Sequence, residues 1–477
     1  MSYKTTIGLE IHIELDTATK MFCSCPNDPY ESHPNVNICP ICLGHPGTLP
    51  TINKKAVEKV LLVGYALDAD LVNETHFDRK SYFYPDLPKG FQISQYDKPL
   101  VKNGQLKGVS IKRIHLEEDT GSLSHSSGNY SLVDYNRAGM PLAELVTEPD
   151  INSSEEALEF AKELQLIFRY LNVSSADMER GQMRVEANVS VSEDEGNLGT
   201  KVELKNLNSF KAVREAIKYE VERQKEKLEK GESITQQTRG WDEQKGVTVA
   251  QREKEEAHGY RYFPEPDLPT FKVEDEWNTQ DLEEKTPELP QEKRHRFRDQ
   301  FNLDKEDINF LVQDKTQADF FENAVSELKN FDSSYDEKVL FNYLKSDLRG
   351  ILKERAANFE DLLVSPEDFG HLIALVESGE ISSKIAKDML EEMFETGKDP
   401  ETLQEEGQYE LIGSESDLEP LAKKVIEENP DPVSDYLDGK RAAVQALVGK
   451  IMSETNGQAD PELAKSVLEE ELSKIED

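Results

Sequence analysis

Residues 7–15 read IGLEIHIEL, an alternation regular enough to dictate a β-strand with one face buried. Ile7, Leu9, Ile11, Ile13 and Leu15 fall on one side, and Glu10, His12 and Glu14 on the other. Segment 183–191 repeats the device, with Val185, Ala187, Val189 and Val191 opposed to Arg184, Glu186, Asn188 and Ser190. Val202 and Leu204 alternate against Lys201, Glu203 and Lys205, and Ile114 and Leu116 against His115 and Glu117. Such patterns belong to antiparallel sheets that rest one face on a core and turn the other outward. Helical patterns are interleaved at 154–171, behind an Asn/Ser cap, and at 210–230, whose later turns are heavily charged. The first 290 residues therefore predict an α+β body on a mostly antiparallel sheet.

Beyond that body the pattern changes. RYFPEPDLP near Tyr260 reads as a proline-stiffened closing strand or loop, and 274–292 as an acidic, proline-containing linker. Helical periodicity follows from 290 to 398, with Gly370, Gly379 and Gly397 as punctuation. An acidic stretch at 401–419 precedes a last unit of short helices. The expected division is 1–290, 291–405 and 406–477, in keeping with 477 residues. A mean hydropathy of -0.66 and the lack of a long apolar run exclude a membrane-spanning chain of the helical type. The N-terminus enters a strand pattern at once, without a signal-peptide core, so a cytoplasmic location is expected. A formal charge of -39 argues at first sight against nucleic acid. It bears on the whole surface, however, and leaves room for local basic patches.

All four cysteines, Cys23, Cys25, Cys39 and Cys42, lie in one window as C-x-C and C-P-I-C. Two close pairs across a loop supply four thiolates for a tetrahedral, structural zinc, with an iron–sulfur centre or free thiols as the alternatives. Disulfides are not expected in a cytoplasmic chain. The Glu10-His12-Glu14 face offers carboxylates and an imidazole suited to Mg²⁺ or Mn²⁺, with Glu117 or Glu118 and Glu144 as further ligands. The plain alternative is a solvated strand face. Residues 77–100, FDRKSYFYPDLPKGFQISQYDKPL, hold six aromatics, three prolines and four lysines or arginines without a period. That composition fits either a packed loop or one presenting aromatic faces and Arg79, Lys80 and Lys89 to a base and a phosphate. KVELKNLNSF, with Lys201, Lys205, Asn206 and Asn208, can reach phosphates and a ribose, or can simply be a strand and an Asn-rich turn. Phosphate-loop, kinase, zinc-protease and serine-hydrolase signatures are missing. Lys440, Arg441 and Lys450 lie along amphipathic helical turns and can dock an RNA backbone or face solvent.

Taken together, IGLEIHIEL, CPICLGHPGTLP, the 77–100 run, IHLEED, NRAGMPLAELVTEPD, KVELKNLNSF, RYFPEPDLP and the C-terminal DGK, LVGKIM and ADP segments resemble the GatB family. These are the B subunits of aspartyl/glutamyl-tRNA amidotransferases, and the match is collinear over essentially the whole chain. The archaeal E subunit is similar but carries an inserted domain for which this length leaves no room. The resemblance implies a cradle-shaped α+β domain with a zinc knuckle, a helical domain and a small helical tail that contacts tRNA. It implies a carbon–nitrogen ligase that uses ATP and Mg²⁺ to phosphorylate the side-chain carboxylate of Glu-tRNA(Gln) or Asp-tRNA(Asn), after which ammonia displaces the phosphate. Glu10, His12, Glu117 and Glu144 map onto the family's magnesium ligands, with Glu117 preferred to Glu118 by motif position. Arg79, Lys80, Tyr82, Lys205 and Asn208 are the expected ATP and substrate contacts, with Tyr84, Pro85 and Pro88 shaping the loop. Lys440, Arg441 and Lys450 are the expected tRNA contacts. The cysteines are absent from some members, which suits a structural zinc. Ammonia is expected from a partner amidase, the A subunit, with a small C subunit completing a heterotrimer.

Overall fold

The computed structural model describes residues 3–125, 130–193, 197–253, 257–406, 409, 415–455 and 457–476. It divides into two compact units, Met1–Glu292 and Lys293–Asp477. The first is built on nine strands: β1 (Lys4–Glu14), β2 (Asp70–Leu71), β3 (Val101–Leu106), β4 (Val109–Glu118), β5 (Pro141–Thr147), β6 (Met183–Ser192), β7 (Val202–Leu207), β8 (Gln237–Asp242) and β9 (Val247–Glu253). They lie in the order β9-β8-β7-β6-β1-β5-β4-β3-β2. Every pairing is antiparallel except that of β7 with β8. The long, alternating β1 is therefore central, between β5 and β6.

Its apolar residues, Ile7, Leu9, Ile11 and Ile13, are fully buried. They share one core with three helices: α1 (Lys54–Ala66), α2 (Ser154–Tyr170) and α3 (Phe210–Glu229). Each helix begins where a side chain satisfies free backbone N–H groups. Asn53 accepts from Lys55 and Ala56, Ser153 from Glu156, and Ser209 from Ala212. With the helices on the apolar face, the polar residues of β1 turn to the other side of the sheet.

Two readings of the sequence change here, and the closing strand expected in RYFPEPDLP is present. The 77–100 run, aperiodic in sequence, contains a short hairpin of Asp78–Ser81 with Phe91–Ser94, elements too brief to display alternation. Phe263–Pro264, from RYFPEPDLP, adds a third strand by pairing with Arg79 and Asp78. The stretch expected to be a linker is packed instead: Val273–Glu276 and Thr279–Glu284 are short helices, and Val273 and Leu282 enter the core. Those apolar residues are hidden among acidic neighbours.

The second unit is helical. Lys305–Val312, Lys315–Phe331, Glu337–Tyr343, Pro366–Glu377, Ser383–Thr396 and Pro400–Glu405 precede a separate core of Leu418, Val425, Leu447, Ile451, Leu468 and Leu472. Gly397 ends its helix in the left-handed conformation, at φ 69°, as a stop signal should. Gly370 does not punctuate. It lies inside Pro366–Glu377, where an added Cβ would stand 2.7 Å from the Ala324 carbonyl oxygen. Helix propensity alone would make Gly370→Ala stabilising by about 1 kcal/mol. The clash against backbone should outweigh that, and we expect a net loss of about 1–3 kcal/mol, read as a lowered thermal midpoint by circular dichroism. A raised midpoint would mean that the two helices are not in that contact.

Candidate functional site

The polar side of the sheet carries an open basin of ≈ 380 Å³. Its floor is set by strand register. His12 of β1 sits opposite Glu144 of β5 and Arg184 of β6, and Glu144 in turn sits opposite His115 of β4. A row of His115, Glu144, His12 and Arg184 therefore crosses four strands, each member within side-chain reach of the next. One step along, Glu10 sits opposite Glu186. That like-charge pair would be unfavourable alone, but Lys205 of β7 donates to Glu186 and lies 3.7 Å from Glu203.

The groups converge closely. His12 Nε2 is 3.6 Å from Glu117 and 3.5 Å from Glu144, and His115 Nε2 is 3.5 Å from the same Glu144 oxygen. Arg113 stands 3.6 Å from the other oxygen of Glu144. Burial, then the charge of Glu144, pushes the Glu10 carboxyl up to about 7. Burial works against a charged His12, but Glu144, Glu117 and Glu10 outweigh it and raise the imidazole to about 9. Burial wins at His115, which falls to about 4, helped by Arg113 and Lys80. Burial likewise raises Glu117. Glu144 is held low despite burial, by His115, His12 and Lys80. With His115 neutral, its part is that of a dipole, and His12 and Lys80 supply the charge.

Lys80 and Lys205 stay cationic despite burial because carboxylates surround them, Glu117 and Glu144 for the first and Glu186 and Glu203 for the second. At the far end Arg184 is 3.1 Å from Asp119, whose other oxygen is 2.8 Å from Arg137. Three tyrosines form part of the wall: Tyr96 and Tyr262 stack at 4.4 Å, and Tyr260 meets Tyr262 edge-on at 6.3 Å with Lys80 over its face.

The structure thus gathers Glu10, His12, Glu117, Glu144, Lys80 and Lys205 in one basin. Tyr82 touches it only indirectly, through the edge of Tyr260 and a 3.4 Å hydrogen bond to Gln92. Arg79 faces elsewhere, clamped on Glu265 by hydrogen bonds of 2.6 and 2.8 Å and lying over the Phe91 ring. Asn208 is exposed beyond the end of β7 and does not line the basin. Glu14 shares the strand face of Glu10 and His12, yet Arg137 covers it and it binds nothing in the basin. Glu118 points away from Glu117, as strand neighbours must, and pairs with Lys89 in a second cavity of ≈ 180 Å³. Sequence reasoning missed Arg113, His115, Asp119, Arg184, Glu186, Glu203 and the three tyrosines as site residues. Alternation marks several as outward-facing, and only cross-strand register joins them.

The cysteines come together beside the second cavity. The Sγ atoms of Cys23, Cys25, Cys39 and Cys42 all lie within 4.8 Å of one another, and those of Cys39 and Cys42 are 3.9 Å apart. Thiolates around one zinc stand about 3.8 Å apart, so the donor set and spacing fit a closed tetrahedral site. The Cys39 N–H donates to Cys42 Sγ at 3.1 Å, and the buried Lys20 ammonium lies 4.0 Å from it. A hydrogen bond from Cys23 and the nearby Lys20 lower Cys42 to about 5, while burial raises Cys25 to about 11. In the second unit Lys440 pairs with Asp435 at 2.8 Å, Arg441 lies over the Tyr436 ring, and Lys450 is exposed on Val444–Glu454.

Comparison with known proteins agrees with this architecture. Residues 5–279 match the family model of the GatB/GatE catalytic domain, and residues 319–472 match that of the GatB domain. The B subunit of the aspartyl/glutamyl-tRNA(Asn/Gln) amidotransferase of Thermoanaerobacter pseudethanolicus is 47% identical over 99% of this chain and 100% of its own. Its counterpart in Thermosipho melanesiensis is 46% identical over 98% of each chain, and that in Thermotoga maritima 44% identical over 99% of each. The two matches lie over the α+β body and the helical unit, and the relatives are alike over their whole length. The chain belongs to the GatB family.

If the cysteine cluster is a zinc site, the purified chain should carry about one zinc, measured by elemental analysis. Cys39→Ser should then lose most of it on dialysis against a mild chelator. Full-strength metal retention by that variant would rule the cluster out.

Proposed function

We propose that this chain uses ATP to phosphorylate the side-chain carboxylate of Glu-tRNA(Gln) or Asp-tRNA(Asn) and then directs ammonia onto the activated acyl group. The observation carrying this reading is the basin itself, in which a carboxylate–imidazole row is flanked by Lys80, Arg113, Arg184 and Lys205. A free carboxylate is a poor acyl donor because its leaving group would be oxide; an acyl phosphate solves that difficulty. Bringing a triphosphate to a carboxylate requires cations to offset their repulsion, and four permanent ones line the cavity.

Glu10, His12, Glu117 and Glu144 are the residues that would hold Mg²⁺: Glu10, His12 and Glu144 offer ligand atoms within 4.8 Å of one another, and Glu117 lies 3.6 Å from His12. Bound there, the ion would supply charge to phosphate oxygens and to the carbonyl oxygen of the acyl group that ammonia attacks. Lys80 and Lys205 approach from opposite sides to bind phosphate, and Arg184, oriented by Asp119, offers a third contact. The stacked Tyr96 and Tyr262 present a face for a base. Asn208 and Arg79, placed outside the basin, serve at most through neighbouring structure.

On this reading ammonia comes from elsewhere: all four cysteines lie in one cluster, leaving none as a glutaminase nucleophile, and the sequence has no glycine/serine-rich amidase signature. A partner amidase, with a small third polypeptide in a heterotrimer, fills that role. Among the described residues no helix is long and apolar enough to cross a membrane, in keeping with a cytoplasmic translation enzyme. Division of the second unit into a helical domain and a tRNA-binding tail follows the same reading. The tail's Lys440, Arg441 and Lys450 would contact backbone phosphates rather than bases.

Phosphorylation of mischarged tRNA by the assembled amidotransferase tests the assignment. Glu117→Gln should lower turnover by about 10²-fold or more while tRNA affinity is kept. Full activity in that folded variant would refute the site. The tail is tested separately: the double change Lys440→Glu and Arg441→Glu should weaken tRNA binding by about tenfold and flatten its salt dependence, measured by filter binding. Its glutaminase activity without tRNA should be unaltered. Unchanged tRNA affinity would remove the tail from the interface.

A further inference from the structure

Lys20 is the most deeply buried lysine among the described residues, with 0% exposure, and no carboxylate there pairs with it. Its ammonium reaches the Ala138 carbonyl at 2.8 Å, the Tyr135 carbonyl at 3.3 Å and Cys42 Sγ at 4.0 Å. Those contacts match its three donors but leave its charge to be balanced. A buried ammonium without a counter-ion is costly, so the balance falls to sulfur. Four thiolates around one Zn²⁺ carry a net charge of about −2, and Cys42 brings that charge to Lys20. The turn at 135–140 lies between this cluster and the basin. Met21, next to Lys20, donates to the Gly139 carbonyl at 2.8 Å. Gly139, at φ 87°, passes so close that an added Cβ would stand 3.5 Å from Cys42 Cβ and 3.7 Å from Lys20 Cδ. On its other side the turn is stitched to Asp119. The Gly139 N–H donates to the Asp119 carbonyl at 2.9 Å, and the Asp119 N–H to the Met140 carbonyl at 2.8 Å. Arg137, within the turn, binds the Asp119 carboxylate, and that carboxylate holds Arg184 at the basin wall.

We propose that Lys20 is a positioning residue that couples the cysteine cluster to the basin. With the cluster loaded, thiolate charge fixes Lys20, Lys20 fixes the turn, and the turn sets Arg137 and Asp119 so that Arg184 faces the cavity. When the cluster is emptied, the concentrated charge opposite Lys20 is lost, the turn loosens and Arg184 loses its aim. The cluster is thereby more than a local brace. This last step rests on the phosphoryl-transfer reading, in which Arg184 meets phosphate. The coupling is reciprocal: the factor by which zinc raises anion affinity is the factor by which the anion raises zinc retention.

Hydrogen exchange of the full chain, read by mass spectrometry with zinc bound and after zinc is stripped and the chelator dialysed away, tests the first step. Stripping should speed exchange at Asp119, Gly139 and Met140 by about tenfold or more while β1 and α2 keep their protection. Lys20→Met, held in excess zinc, should show the fast exchange already, and stripping should add little. Three results would each overturn the coupling: unchanged protection of the turn on stripping, wild-type protection in zinc-loaded Lys20→Met, or a rise spread evenly through β1 and α2. Should Lys20→Met misfold by circular dichroism, the wild-type comparison decides alone. The second step is read by titrating the same samples with Mg²⁺ and the β,γ-imido analogue of ATP. Stripping should weaken wild-type binding about tenfold and leave Lys20→Met, already weak, unmoved. Equal wild-type affinity with and without zinc overturns the link to Arg184. Failure of the analogue to bind any sample removes the phosphoryl-transfer reading, whereas the exchange data still decide the role of Lys20.

Discussion

The register of β1 between its two neighbours is the constraint on which the rest depends. Because β1 pairs with β5 and β6 so that His12 meets Glu144 and Arg184, and Glu10 meets Glu186, charged groups distant in the chain meet on one surface. A slip of one residue would send Glu10 and His12 into the core and Ile11 into the basin. The register is held from the opposite face, where Ile7, Leu9, Ile11 and Ile13 are locked among the helices. Apolar packing on one side of the sheet thus specifies chemistry on the other.

Concentrating so much charge has an energetic consequence. Glu10 and Glu186 face each other, Glu117 is almost wholly buried, and Asp119 needs two arginines to remain anionic. Each carboxylate is offset by a cation from another strand or loop, so the basin is a network rather than a set of pairs. Removing one member would leave a partner buried without compensation. Such a surface is poor material for stability, and the large core beneath it offsets that deficit.

Much of this was legible in residue order. Alternation identified the central strands, an Asn/Ser cap located α2, the helical pattern located α3, and the spacing of four cysteines foretold a cluster. Elements too short for a period were not legible, which is why the hairpin within 77–100 escaped notice. Nor was packing hidden by composition, as at Val273 and Leu282 in an acidic stretch. Gly370 shows the ambiguity of a single residue type: glycine ends helices and also permits close approach, and only the neighbouring helix tells which.

The two glutamates of HLEED draw the line most clearly. By itself the sequence determined that one of Glu117 and Glu118 faces each side of a strand, because side chains alternate along an extended backbone. It determined likewise that Glu10 and His12 share a face, and that the cysteines could meet. Tertiary structure decided that Glu117 joins Glu144 and His12 while Glu118 pairs with Lys89, that Arg79 turns to Glu265, and that His115 and Arg184 complete the row. Alternation is a local property of the backbone. Which strands become neighbours, and in what register, is settled only when the buried faces pack together.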